Sequence, residues 1–451
     1  MTERSQSFRV LIAGAGIGGL ATAISLSRVS GIPNLDIQIY EQAPELIEIG
    51  ASIALSPNGM RTLERLGVYE ALSDEIGFRG PSGIPQIFRH WKTNQVVSVD
   101  THTNVPDRRH QTTRFHRGHV HAALLSQIDI SSVHLHKKVI RAEANDNEAV
   151  LFFEDGTQAH GDVLIAADGI RSMVRQSFLP EYDLKFTGKV FMRSTFDASL
   201  VEDKIPDLPL DAVHWWGPKD SFFASRLGKG LYTTVGAYEH AHNGQGSDDS
   251  ISWNQDGSVE FFREKFKHWN PVVKSLTELT PDVRLYPNYA GPALSTYLMA
   301  PRVALLGDAA HTHGGAFAAG GSLALNDALS LGLSFAHVAK LQRDVASLRL
   351  AEIHHALTLY DRVRQPHATK LLNIVHGSLH KKQPSHTSVG AEDEALMARF
   401  KSRPDLTWLS EHDVETAFEK TAQELGSNEF FLEDKSRKDR VVIQSKENLE
   451  K

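Results

Sequence analysis

Cysteine is absent from this chain of 451 residues. That single absence excludes disulfides, thiolate zinc sites, iron–sulfur clusters and a cysteine nucleophile, and it fits a reducing compartment. Neither sign of charge dominates. The 48 Lys+Arg and 55 Asp+Glu leave a net charge of −7, which gives no general electrostatic reason to bind nucleic acid or an anionic membrane. No apolar run reaches the roughly 18 residues that span a bilayer. The opening MTERSQSFRV lacks the basic-then-apolar order of a secretory signal, and the closing ENLEK matches no lipidation or peroxisomal tag. These absences set the expectation of a soluble, cytoplasmic protein without nucleic-acid or membrane partners. Any redox chemistry must then come from a bound cofactor.

What is present is ordinary in bulk and specific in places. The chain is 41% hydrophobic and 23% charged, typical of soluble globular proteins, and its length suggests about two to four domains. Residues 9–13 (RVLIA) read as a strand entering a glycine cluster, followed by a helical pattern over 20–28. A second strand spans 37–40. Residues 56–66 have helical spacing, with Asn58 as a cap. Helix is expected over 116–125, and strands over 133–139, 149–153 and 162–167. Residues from about 180 to 281 carry aromatics and β-formers, which predicts an antiparallel sheet with a helix near 259–269. A strand at 303–306 leads through a glycine-rich turn to a helix from about Ser322. Helix dominates after Pro366. Residues 243–252 read as a polar surface loop and 433–451 as a charge-dense tail.

Gly14, Gly16 and Gly19 occupy the G-x-G-x-x-G positions between strand and helix. The first glycine permits a tight turn, the second lets backbone approach a pyrophosphate, and the third lets helix and strand pack closely. Glu41 ends the next strand 22 positions after Gly19, where an acid is expected to bond ribose hydroxyls. Strand, helix and spaced acid together make this a dinucleotide site rather than a bare glycine turn. The fingerprint fits NAD and FAD alike.

Two further segments bear on that choice. GDVLIAADGIRSMVR from Gly161 ends a buried strand at Asp168-Gly169, and ALLGDAAH from Ala304 ends one at Gly307-Asp308. With the fingerprint and Tyr360-Asp361-Arg362-Val363-Arg364-Gln365-Pro366, the chain resembles the class A flavoprotein monooxygenases. These are single-component, FAD-dependent aromatic hydroxylases. Gly50-Ala51, Pro57-Asn58, His116-Arg117, residues 314–322 and Trp408 to Asp413 resemble the salicylate hydroxylase-like branch, its fungal members included.

The resemblance implies an α/β fold. A Rossmann-like FAD-binding domain of the p-hydroxybenzoate hydroxylase type would be built from residues 1–75, 112–180 and 284–365. A mainly antiparallel substrate sheet would come from 76–111 and 181–283, and a C-terminal helical region from 366–451. It implies that FAD contacts Gly14, Gly16, Gly19, Glu41, Ala54, Arg117, Asp168, Asp308, Gly320 and Gly321. Arg193 stands where related phenol hydroxylases carry a substrate-orienting Arg, and its fixed charge suits a phenolate or carboxylate. NADPH or NADH would be the reductant, O2 the oxidant and a small aromatic the substrate, hydroxylated through a flavin hydroperoxide. Decarboxylation would accompany attack where the acid lies ortho to the hydroxyl. The protein would be a monomer or homodimer.

Two departures stand out. Gly315 replaces the Pro common in this family, which gives a roomier or more mobile wall. Ser225 stands where tropolone-forming relatives have a Tyr. His311-Thr312-His313 lacks a third ligand at suitable spacing, so no metal is expected. Two other readings share parts of the pattern. One is an epoxidase or ring-modifying flavin monooxygenase of secondary metabolism, acting on a larger polycyclic substrate. The other is an FAD-binding protein without oxygen chemistry.

Overall fold

The structure is a computed structural model that describes residues 7–46, 51–240, 251–341, 348–379 and 389–425. Phe8–Ala13 is buried at five of its six residues and pairs in parallel with Leu35–Tyr40 on one side and Val163–Ala166 on the other. Val303–Leu305 extends the parallel run beyond Val163–Ala166, and Val133–His134 extends it beyond Leu35–Tyr40. Leu298–Ala300 closes the far edge as an antiparallel strand, for six in all. Strands buried on both faces read as continuous apolar runs, as RVLIA and DVLIA do. The helices Ile17–Val29 and Gly320–Leu341 pack against each other over the sheet. Ser25 lies where a Cβ on Gly332 would stand, 2.2 Å from its Oγ.

The second large sheet has eight strands. Gln255–Asp256, Arg284–Ala290, Lys185–Asp197, Leu231–Glu239, Ser221–Arg226 and Val213–Trp216 run antiparallel in that order. Gln86–His90 joins in parallel to Val213–Trp216, with Val96–Asp100 at the edge. Arg284–Ala290 hydrogen-bonds to Lys185–Asp197, so the boundary expected at 283 falls inside this sheet. One face is closed by the helices Val259–Phe266 and Pro271–Leu279, which bury Phe262, Phe266, Val273 and Leu276 against Met192, Trp215 and Phe222. Residues of opposite parity, Phe191, Arg193 and Thr195 among them, are half-buried on the other face.

Local differences from the sequence reading have local causes. The helix Pro57–Arg65 starts after Ser56 with Pro at its first turn, so Asn58 is not its cap. Asn58 lies inside the helix, where its Nδ2 donates to Leu409 O at 2.9 Å. The strand expected over 133–139 breaks at His136, whose φ is +58°, and resumes as Val139–Ala144. The helix Pro271–Leu279 went unread, although Asn270 caps it and Pro271 opens it. The helix Leu350–Leu379 runs through Pro366.

The chain's last described part packs along the edge of the eight-stranded sheet. Phe400 stacks on Trp216 at 4.9 Å, Arg403 Nη2 donates to Asp100 at 2.6 Å, and Glu411 accepts from Thr103 N and Asn104 N. The segment 243–252, apart from its last two residues, and the stretch 433–451 lie outside the described residues. No described helix is long and apolar enough to cross a membrane.

Candidate active site

The site is built on the carboxyl ends of the parallel strands, where open α/β sheets place their ligands. Gly14 has φ +98°, and a Cβ there would stand 2.5 Å from Ala167 O. A Cβ on Gly19 would stand 2.0 Å from Gly14 O. Both positions therefore need glycine for packing. Gly16 differs: a Cβ there meets nothing within 4 Å. It faces open space at the N-terminus of the helix Ile17–Val29, where free N–H groups and the helix dipole favour an anion. Glu41 reaches into the same turn, accepting from Ala15 N and from Ala43 N, each at 2.9 Å. His121, from the helix Arg117–Leu125, bonds Ala15 O from the other side at 2.8 Å.

Asp168 and Asp308 follow the neighbouring strands Val163–Ala166 and Val303–Leu305. Asp168 Oδ2 accepts from Val174 N at 3.1 Å, while Oδ1 is buried with no partner. Burial pushes this carboxyl above the ordinary range, against its local hydrogen bonds. Asp308 is exposed although its neighbours Gly307 and Ala309 are buried. Arg175 ties the two turns together: its guanidinium donates to Ala309 O at 2.7 Å and Ile170 O at 2.6 Å, and it lies 4.0 Å over the Tyr182 ring.

Behind Asp308 is a buried ionic cluster. Asp327 Oδ2 accepts from Gly307 N at 3.0 Å and from His311 Nε2 at 2.7 Å, and its Oδ1 accepts from Arg364 Nε at 2.8 Å. Burial alone raises the Asp327 carboxyl, but His311 and Arg364 outweigh it and hold the carboxyl well below the usual range. Sequence reading placed Arg364 in a motif but did not pair it with Asp327.

Ala54 lies on Ser52–Leu55, which pairs with Thr113–His116. Gly321 packs on this strand, since a Cβ there would stand 2.7 Å from Ile53 Cδ1. A Cβ on Gly320 would stand 3.8 Å from Asp308 Oδ1, so the start of the helix Gly320–Leu341, the strand and Asp308 form one continuous wall. Arg117 donates its N–H to Ala51 O at 2.9 Å beside this wall.

Across from it stands the half-buried face of the eight-stranded sheet. Thr233 Oγ1 bonds Ser52 Oγ at 3.1 Å and joins the two. Arg193 lies 5.3 Å from the Tyr286 ring centre and 5.5 Å from that of Phe191. Its Nε is buried with no partner. Burial lowers its pKa and the like charge of Arg117 lowers it further, with Tyr286 opposing. Ser225 pairs with Thr233, while Tyr286 supplies the ring beside Arg193 from another strand. Sequence reading missed that tyrosine because it alternates with ordinary core residues. The structure thus brings the glycines, Glu41, Asp168 and Asp308 to one edge, with Ala54, Arg117, Gly320 and Gly321 continuing it and Arg193 opposite. Among the described residues no group of three or more His, Cys, Asp or Glu could hold a metal ion.

This fold is shared with solved FAD-binding aromatic hydroxylases. HpxO of Klebsiella pneumoniae, solved in complex with FAD and uric acid, superposes with a TM-score of 0.68 at 22% identity, over 92% of this chain and 96% of that one. The homologues of the chain are salicylate hydroxylase and related FAD-dependent aromatic monooxygenases. It is 29% identical over 378 residues to 6-hydroxynicotinate 3-monooxygenase of Pseudomonas fluorescens, covering 82% of this chain and 91% of that protein. It is 26% identical over 433 residues to salicylate hydroxylase of Pseudomonas putida, covering 92% and 94%. No family model matches the chain.

Proposed function

We propose that this chain is an FAD-dependent, NAD(P)H-consuming monooxygenase that hydroxylates a small phenolic or aromatic-acid substrate. The observation that carries the reading is Arg193, a half-buried side chain whose guanidinium Nε is buried and orphaned on the sheet face opposite the glycine-lined wall. A partly desolvated cation of this kind suits a phenolate or carboxylate.

The residues at the other wall fit FAD. Glu41 would hold ribose hydroxyls and Gly16 would admit the pyrophosphate. Asp308 would accept from ribityl hydroxyls, and the orphaned Asp168 Oδ1 offers one more acceptor. Ala54, Arg117 and the helix start at Gly320-Gly321 would line the flavin ring. Bound FAD supplies two-electron transfer from the nicotinamide and activation of O2, for which this cysteine-free chain has no side chain. The protein's part is positioning. Arg193 orients the anionic substrate oxygen, the Phe191 and Tyr286 rings bound it, and the Thr233–Ser52 bond closes the gap between sheet and wall.

The division of labour follows the expected domains, residues 1–75, 112–180 and 284–365 holding FAD and 76–111 with 181–283 the substrate, with the strand Arg284–Ala290 moved to the substrate sheet. A cytoplasmic, monomeric or homodimeric enzyme of the salicylate hydroxylase-like branch, its fungal members included, completes the reading.

The test is reconstitution with FAD, followed by a screen of substituted phenols and benzoates. It tracks NADPH and NADH loss together with product mass, because peroxide release alone mimics turnover. Substrate-stimulated oxidation with a hydroxylated product is expected. A chain that takes up no FAD overturns the reading. One that takes up FAD but oxidises no aromatic is the non-oxygenating alternative, and turnover confined to polycyclic compounds is the other.

A further inference from the structure

His313 has no role in the reading above, yet it is buried within the site. A Cβ on Gly320, the first residue of the 22-residue helix Gly320–Leu341, would stand 3.3 Å from His313 Nε2. Asp308 Oδ1 lies 3.8 Å from the same point. The His313 side chain is therefore aimed at the first turn of a long helix, where free N–H groups point outward and the dipole is positive. His313 is 2% exposed, and neither of its ring nitrogens reaches a hydrogen-bond partner.

A buried polar group without a partner is costly, and one in a native fold calls for a ligand or another explanation. The ring is not there by slack in the chain. A backbone bridge joins His313 to Ala290 of the substrate sheet, and Thr312 O accepts from Gly291 N at 2.9 Å next to it. Burial, opposed by Asp308 and reinforced by His311, pushes the imidazole down to about 4. At neutral pH it is an uncharged ring with one N–H to give.

We propose that His313 donates a hydrogen bond to the electron-rich pyrimidine edge of the flavin, adding a side-chain donor to the N–H groups of the helix that starts at Gly320. This rests on the reading that the site holds FAD. A neutral donor fixed at the place where negative charge gathers stabilises that charge without reorganising.

The test is sulfite binding to the FAD-loaded protein, read as bleaching of the flavin absorbance. Sulfite adds to the flavin and leaves negative charge on the pyrimidine edge, so its affinity reports donors there. His313→Leu should weaken sulfite binding by about tenfold or more, the size of one hydrogen bond to a charged group. His313→Asn, which keeps an N–H donor, should stay within about threefold of wild type. His313→Met is the second apolar variant, in case leucine prevents FAD uptake. Apolar variants that take up FAD and bind sulfite like wild type overturn the proposal, and so does an asparagine variant as weak as the leucine one, since that marks a packing role. A wild-type chain that takes up no FAD overturns the function reading and this proposal with it. Normal uptake with indifferent variants overturns this proposal alone.

Discussion

Asp327→Asn should be the most damaging conservative change in the flavin-side core. Asp327 and Arg364 are both 0% exposed, and His311 is 1% exposed. The terminal nitrogens Nη1 and Nη2 of Arg364 have no other partner, so Asp327 is the carboxylate that balances this guanidinium. Asn keeps one acceptor oxygen, which can serve either Arg364 Nε or the Gly307 and His311 donors, and its amide nitrogen, a donor only, accepts from neither. Removing one partner of a buried ion pair costs about 3–5 kcal/mol. Urea unfolding of the apo-protein should show that loss at neutral pH.

The sign of its pH dependence follows from the same cluster. A carboxyl held below its unfolded value contributes stability above about pH 4, lost as pH falls through the folded value. The gap between wild type and variant should therefore narrow in acid. Because Gly307 N loses a charged acceptor, the turn that presents Asp308 should loosen, and the FAD dissociation constant should rise by about tenfold or more. Asp327→Asn/Arg364→Met removes the stranded charge and should recover much of the stability. A single variant within about 1 kcal/mol of wild type, with unchanged FAD affinity, would refute the reasoning.

Changes at three further positions test other parts of the site. Gly19→Ala, whose Cβ would stand 2.0 Å from Gly14 O, should destabilise by about 1–3 kcal/mol and lose FAD uptake, read by flavin absorbance after gel filtration. Asp168→Asn keeps the acceptor for Val174 N but removes a carboxyl whose folded value is raised by burial. Such a group stabilises the fold below its unfolded value, and that contribution is lost as pH rises through the folded one. The apo-variant should therefore gain on wild type in melting temperature as pH rises above about 4, while binding FAD less tightly. Arg193→Met should raise KM for anionic aromatic substrates by about tenfold or more with FAD uptake unchanged. Arg193→Lys should fall between the two, because it keeps charge and loses the planar fork.

The parts legible in the sequence are those set by short-range spacing. Gly14, Gly16, Gly19 and Glu41 form a turn, a helix start and a strand end whose geometry is local, and the parallel strands announce themselves as apolar runs. The Asn270-Pro271 pair also carried a readable helix start. Arg193 entered only through family resemblance, since one Arg in an alternating strand has no local signature. The contacts that complete the site are long-range and leave no periodic trace. Asp327 meets Arg364 across two helices, Arg175 reaches Ala309 O, and Arg403 reaches back to Asp100. Tertiary packing also overrides local preference at Pro366, which the helix Leu350–Leu379 carries in its interior.

The central claim, that FAD held at this edge serves oxygen transfer to an aromatic anchored by Arg193, is tested most directly by turnover under isotopically labelled dioxygen. The FAD-loaded chain should convert a phenol or benzoate to a product carrying a single labelled oxygen atom, with NAD(P)H consumed in step. Hydrogen peroxide as the sole product across the whole panel, or a product whose new oxygen is unlabelled, would contradict it.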